Sequence, residues 1–344
     1  MNIQQALELL IDRKDLQVAD MESVMRQVMT GEATPAQIGG FLIALRMKGE
    51  TVDEVAAAAK VMRTLASGVA LEHADAIDIV GTGGDSTSTF NVSTCSSIVA
   101  AAAGARVAKH GSRSVSSKSG AADLLEEAGV NIDLTPEQVA QCVDELQLGF
   151  MFAPRHHSAM KHAIGPRREM GVRTIFNLLG PLTNPAGARS QLLGVYSKHW
   201  VRPMAEVLEK LGSDHVIVVH GHDGMDEISI SGPTQVAELK DGKVNEYVIE
   251  PAQFGIDVSP LESIKVQGAA ASLDMIRNVL ANEAGPPRDI VVLNAGAALC
   301  VAGVADSIAE GVALADEAIS SGAAAHKLAQ LISVSQSFDS ARPE

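Results

Sequence analysis

The chain has 344 residues, 46% of them hydrophobic and 20% charged, the balance of a soluble globular protein long enough for two domains with cores of their own. A formal net charge of -15 leaves no basic face for a duplex and argues against a nucleic-acid partner. Aromatic residues make up only 3%, so alanine, leucine, valine and glycine must fill the interior, which favours closely packed helices and parallel strands.

Residues 1–69 read as helices from end to end. Ile3, Ala6, Leu7 and Leu10 mark one face, and a second helix over about 20–29 ends at Gly31. Thr34-Pro35-Ala36-Gln37 and Thr51-Val52-Asp53-Glu54 are capping boxes opening the third and fourth helices. Met21, Met25, Met29 and Met47 suggest an assembly surface, although core is the commoner use of such methionines. The N-terminus has no basic region ahead of an apolar run and Asp12 interrupts its first helix, so no signal peptide is expected. The longest apolar runs, at 97–108 and 290–304, fall short of the roughly 20 residues of a membrane span. The expectation is a cytoplasmic protein without membrane contact.

The stretch 78–119 is the most informative. Asp78-Ile79-Val80 reads as a buried strand running into Gly81-Thr82-Gly83-Gly84-Asp85; a helix pattern over 95–104 leads to a second strand, Arg106-Val107-Ala108, which ends in Lys109-His110-Gly111-Ser112-Arg113. Two successive strands thus each deliver a polar, glycine-containing loop, and in an open α/β sheet such loops meet where ligands bind. They offer unblocked backbone N–H groups, hydroxyls from Ser86, Thr87, Thr89, Ser93 and Thr94, and cations at Lys109, Arg113 and Lys118. GTGGD alone is equally well read as a glycine turn with an ordinary helix cap. The second loop, KHGSRSVSSKSG, tips the reading toward an anion site.

Beyond it, a helix is expected over 119–129, a strand over 130–132, a capped helix from Thr135, a strand over 149–152, and helices over 160–171 and 174–179. From Gln191 the α/β alternation resumes, with strands over 192–196 and 215–220, and Asp241-Gly242 marks a hairpin. Alanine-rich helices follow from Ala270, and the last ten or so residues read as disordered. The fold class expected is α/β, a mostly parallel sheet flanked by helices, with a smaller all-helical domain. Cys95, Cys142 and Cys300 lack metal spacing and read as buried free thiols. Asp226 and Glu227, in a loop after the strand 215–220, read alone as a solvated acidic turn; beside a diphosphate site they suit Mg²⁺. His220, His222 and Asp223 are taken as structural. Arg167 and Arg168 read alone as surface arginines.

GTGGD, NVST, KHGSRSVSSKSGAADLLEEAG, RHHSAMKHAIGPRREMGVRTIFNLLGPLTNP and GMDEISI together resemble the motifs of the anthranilate phosphoribosyltransferases, of the nucleoside phosphorylase/phosphoribosyltransferase-like fold, in register from about residue 3 to 335. The resemblance implies a helical, dimerising domain of residues 1–72 and 156–190, an α/β domain of 73–155 and 191–344, hinges near 72, 155 and 190, and a homodimer. It implies transfer of a phosphoribosyl group from 5-phosphoribosyl diphosphate (PRPP) to the amine of anthranilate, with no general base. PRPP would be bound by Gly81, Gly84, Asp85, Thr89, Asn91, Val92, Ser93, Thr94, Lys109, His110, Gly111, Ser112, Arg113, Ser114, Val115, Ser116, Ser117 and Ala121. Anthranilate would lie against Gly81, His110, Ser112, His157, Arg167 and Pro181, with Arg167 forking onto its carboxylate. Mg²⁺, two ions per subunit, would be held by Ser93, Asp226 and Glu227. Two positions depart from the family pattern: Ser112 stands where the motif reads KHGNR, and Ala121 where a serine usually follows SKSG. A nucleoside phosphorylase, needing one phosphate and no metal, and a non-catalytic nucleic-acid-binding relative are the alternatives; the carboxylate pair and the net charge speak against them.

Overall fold

The computed structural model describes residues 1–84, 87–114 and 119–338. The threonine capping boxes expected in the N-terminal helices form, opening α3 (Pro35–Lys48) and α4 (Val52–Leu65), and Asn2 makes another ahead of α1 (Ile3–Ile11). Gly31, left-handed at φ 81°, ends α2 (Val18–Thr30). Met21, Met25 and Met29 are core; Met47 is the exposed member of that series.

The α/β part begins with β1 (Ile77–Gly81), α5 (Val92–Ala102), β2 (Val107–Gly111), α6 (Ala121–Glu127), α7 (Pro136–Leu146) and β3 (Leu148–Phe152). The strand expected over 130–132 does not form. The Val130 N–H closes onto Leu125 O at the end of α6 and the Asn131 N–H goes to Ser335 Oγ, so helices take the donors a sheet would need. Val130 and Ile132 are buried without joining a ladder. The chain then leaves the sheet: α8 (Ala153–His156) leads to α9 (Lys161–Met170) and α10 (Phe176–Leu179), which pack on α2, α3 and α4. It returns as β4 (Ser190–Gly194), α11 (Val201–Lys210), β5 (His215–Gly221), β6 (Thr234–Lys240) and β7 (Lys243–Ile249). Asp241 and Gly242, at φ 52° and 67°, make the tight turn of the β6–β7 hairpin. Four helices complete the fold, α12 (Ala269–Leu280), α13 (Pro286–Val301), α14 (Ile308–Ser320) and α15 (Ala323–Ser337). The last of these carries helix into the stretch expected to be disordered.

The seven strands run in the order β3-β2-β1-β4-β5-β6-β7, parallel through β5 and antiparallel beyond. Alternation along the strands divides the core. Ile77, Ile79, Leu192, Ile217 and Val219 face α5 and the C-terminal helices, whereas Leu193, Val195, Val216 and Val218 share a core with α1–α4 and α11. On the first face α13 and α14 cross at Gly296 and Gly311, where a Cβ on Gly311 would lie 2.1 Å from Gly296 O. Strand order reverses between β1 and β4: the chain runs from β1 to β2 on one side and from β4 to β5 on the other. Such a switch point opens a crevice at the carboxyl ends of the strands.

Candidate active site at the β1–β4 switch point

Gly81 of β1 pairs in register with Gly194 of β4, and the turn 224–227 crosses both. A Cβ on Gly194 would sit 1.5 Å from Asp226 O, and one on Gly81 2.3 Å from Asp226 Oδ2, so the absent side chains are what admits a third segment over the strand ends. Asp226, only 8% exposed, accepts from the Gly83 N–H at 2.7 Å. Thr82 is fixed from both sides, its N–H on Gly194 O and its hydroxyl accepting from the Tyr196 N–H. Gly83 and Gly84 take φ of 66° and 76°, a conformation that suits a loop lined by backbone. Asp85 and Ser86 lie outside the described residues.

The second loop is closed at its base. The Ser114 and Gly120 N–H groups both donate to Asp123 Oδ2 at 2.9 Å, and a Cβ on Gly120 would meet Ser114 N at 2.4 Å. The Ala122 N–H reaches Ser112 O, just inside α6, whose first residue is Ala121. Gly111 ends β2 against the Phe150 ring. Arg113 is committed to Glu126, at 2.7 and 3.0 Å, and to Asp123, at 3.2 Å, so its charge is already matched. Val115, Ser116, Ser117 and Lys118 lie outside the described residues. Asn91 accepts from the Ser119 and Ser272 hydroxyls and donates to Ser119 O, tying both loops to α12 instead of capping α5. Thr89 bridges to Lys265. Val92 and Thr94 are buried, and the Thr94 hydroxyl has no partner among the described residues.

Lys109 points inward. Its ammonium donates to Ile79 O at 2.6 Å and Ser93 Oγ at 3.3 Å; burial pushes its pKa down, while the Asp78 and Glu227 charges pull the other way. Its amine is therefore fixed beneath Ser93 and close enough to be felt by Glu227.

His110, at the end of β2, and His157, just past α8, have ring centroids 5.1 Å apart and are both buried. The Nε2 of each ring is buried and lacks a partner among the described residues. Burial, then the neighbouring histidines, hold His110 well below its ordinary pKa and His157 at about 4. Pro181 is buried nearby in the chain, its carbonyl accepting from Gln191 Nε2. Arg167, in the last turn of α9, stacks over Phe176 at 5.0 Å, and no carboxylate pairs with it among the described residues. Burial lowers its pKa from the ordinary guanidinium value.

Among the described residues no group of three or more His, Cys, Asp or Glu could hold an ion alone. A hard cation here would need substrate oxygens to complete its shell, and two adjacent carboxylates with a serine hydroxyl fit Mg²⁺ on those terms. His220 and Asp223 are structural: the imidazole bonds Val195 O, and the carboxylate holds its own turn.

Residues 73–325 match the α/β domain model of a glycosyl transferase family and residues 4–66 its helical bundle domain model. A relative from Thioalkalivibrio sulfidiphilus, an anthranilate phosphoribosyltransferase, is 61% identical over 98% of this chain and 100% of its own. The chain belongs to the anthranilate phosphoribosyltransferase family. The Thermus thermophilus member has a crystal structure 43% identical, with a TM-score of 0.91 over 96% of this chain and 99% of that one. The Saccharomyces cerevisiae member, solved with PRPP and Mg, is 28% identical with a TM-score of 0.89 over 97% and 98% of the two chains.

Within this family member, three residues of the site escaped the sequence reading. Asp78, fully buried at mid-β1, accepts from the His110 N–H at 3.2 Å and from Asn184 Nδ2 at 2.8 Å; burial raises its pKa to about 6. Asn184 also donates to Ala108 O and so joins the returning chain to β1 and β2. Arg173, between α9 and α10, stacks on Tyr196 at 4.6 Å and donates to Gly84 O. An aspartate in an apolar strand is a legible signal; the hydrogen bonds of Asn184 and Arg173 span more than 75 residues and leave none.

Proposed function

We propose that the chain transfers the 5-phosphoribosyl group of PRPP to the amine of anthranilate, releasing diphosphate, in tryptophan biosynthesis. The observation that carries the reading is the convergence at one crevice of a glycine-seated carboxylate, Asp226, with a pair of buried neutral histidines. The C1–N bond forms as the bond from C1 to the diphosphate oxygen breaks, and the amine proton leaves to solvent. Loop N–H groups and the Ser93 hydroxyl bind the diphosphate, and buried Lys109 biases the site toward its negative charge. Asp226, Glu227 and Ser93 would hold Mg²⁺, two ions per subunit, which would supply positive charge to offset that of the leaving group. Arg167, unpaired and preset by its stack on Phe176, receives the anthranilate carboxylate. The two buried rings, each with an unpartnered Nε2, suit an aromatic amine, and a histidine with a pKa near 4 is too weak a base to be asked for more.

The chain is read as two domains, 1–72 with 156–190 and 73–155 with 191–344, closing on hinges near 72, 155 and 190 to exclude water. Exposed Ile11, Met47 and Ile164, on the adjoining helices α1, α3 and α9, support a homodimer joined through the helical domain. Loss of anthranilate fluorescence that requires both PRPP and Mg²⁺ is the expected result. A well-folded protein that leaves the fluorescence unchanged, or that phosphorolyses nucleosides without metal, would overturn the reading.

A further inference from the structure

The turn bearing Asp226 and Glu227 has no strand or helix of its own, yet it is fastened on both sides of the pair. Ahead of it, Asp223 accepts from the Met225 N–H at 3.1 Å and from the Ser229 and Ser231 hydroxyls at 2.6 and 2.5 Å, while Met225 O receives the Gly221 N–H. Behind it, Ile228 is 1% exposed and sits outside the sheet ladder. Its N–H donates to Asn294 Oδ1 and its carbonyl accepts from Asn294 Nδ2, both at 2.9 Å, as a neighbouring strand would do. The second Nδ2 hydrogen goes to Ile290 O at 2.9 Å, so every polar valence that matters is used.

Asn294 is fully buried in α13, the one polar residue in the run 290–301. Helix propensity does not favour asparagine there, and an amide in an apolar layer is costly unless paired. Its pairing is spent on the residue next to Glu227. The helix that carries it is itself held by the close crossing of Gly296 with Gly311 of α14. We infer that Asn294 is a positioning residue that fixes the metal-facing pair through the main chain of Ile228, an inference that rests on the metal reading of Asp226 and Glu227 above. Second-shell partners of metal ligands are typically worth about 10- to 100-fold in metal affinity. Asn294 acts through the main chain of the next residue and not on a ligand itself, so the lower end of that range, about tenfold, is expected.

The test uses Asn294→Ala and Asn294→Asp, the latter able to accept from the Ile228 N–H but not to donate to its carbonyl, with Asp226→Ala/Glu227→Ala as reference. Mn²⁺ binding in the presence of inorganic diphosphate is read by electron paramagnetic resonance, without turnover. The expected result is weaker Mn²⁺ binding in both Asn294 variants, a rate restored by raising Mg²⁺, and an unchanged KM for anthranilate. Folded Asn294 variants that bind Mn²⁺ like the parent, while the double variant does not, would overturn the inference alone. A double variant that binds Mn²⁺ normally would remove the metal reading and the inference with it. Should Asn294→Ala fail to fold, Asn294→Asp and hydrogen exchange in the unaltered protein decide: the Ile228 N–H should exchange as slowly as the amides of β5, and fast exchange would refute the clamp.

Discussion

On the β1–β4 side of the crevice the surface offered to a ligand is main chain, with Gly81, Gly83, Gly84 and Gly194 leaving room for backbone and for one carboxylate. On the β2–α10 side the residues proposed for the acceptor are side chains, His110, His157, Pro181 and Arg167, delivered by four separate stretches, with the two histidines and the arginine buried enough to lower their pKa values. The first side is bound by steric rules that allow little gradation. The second is an assembly of separable hydrogen bonds, so its changes should be graded and should fall on one substrate.

Gly194→Ala probes the steric side and should have the largest effect. Its Cβ would meet the Asp226 carbonyl at 1.5 Å, which neither main chain can relieve without moving the turn 224–227. Turnover should vanish, and overpacking should cost about 1–3 kcal/mol in denaturant titration; a variant with normal activity would show that the turn does not need its seat. Next comes the pH dependence of the acceptor side. The His157 pKa falls from 6.5 to about 4 on folding, so the unfolded chain takes up the proton first. The stability gained from keeping it neutral is complete above pH 6.5 and is lost as pH drops toward 4, about 3 kcal/mol in all. Asp78, raised from 3.8 to about 6, works with the opposite sign, its contribution being present at low pH and lost as pH rises through 6. His110 and His156, lowered by burial as well, act in the same direction as His157, so the whole-protein curve sums several groups. The stability difference between the parent and His157→Asn should isolate the histidine by shrinking on acidification, and a pH-independent difference would contradict a buried neutral ring.

Arg167→Ala should raise the KM for anthranilate about tenfold to a hundredfold, the worth of one charge-assisted hydrogen bond of about 1.5–3 kcal/mol, and leave that for PRPP nearly unchanged. Equal effects on both substrates would mean the two sides are not separable. The smallest change is expected at Ser112, where the family has asparagine. Serine keeps a donor and an acceptor on a shorter arm, so Ser112→Asn should tighten the KM for anthranilate by about two- to tenfold. No change would detach this residue from the acceptor.

This division also decides what could be read from the sequence. The capping boxes and the Asp241-Gly242 hairpin are local devices, each written within about five residues, and both stand where the patterns placed them. The strand assigned to 130–132 failed because three apolar residues look the same whether they pair or plug, and the partners that decide are Leu125 and Ser335. Asn184, Arg173 and Asn294 act on residues far away in the chain, and single-sequence patterns carry no record of such pairs. Arg113 was legible as a cation beside a phosphate loop, but not its capture by Asp123 and Glu126 one helix later.

The pairing of β1 with β4 also sets an order of events. Ile77 meets Ser190 only after both crossings to the helices have been made, so the central seam of the sheet closes one of the longest loops in the fold. A chain emerging from the ribosome can complete α1–α4 and the β1–β3 ladder well before Ser190 exists. Until then one edge of β1, with its unpaired N–H and C=O groups and the glycine loop beyond it, is open to any other strand. The seam at which the substrates are expected to meet is thus the stretch of this chain most exposed to mispairing during synthesis, and the one a chaperone would have most reason to cover.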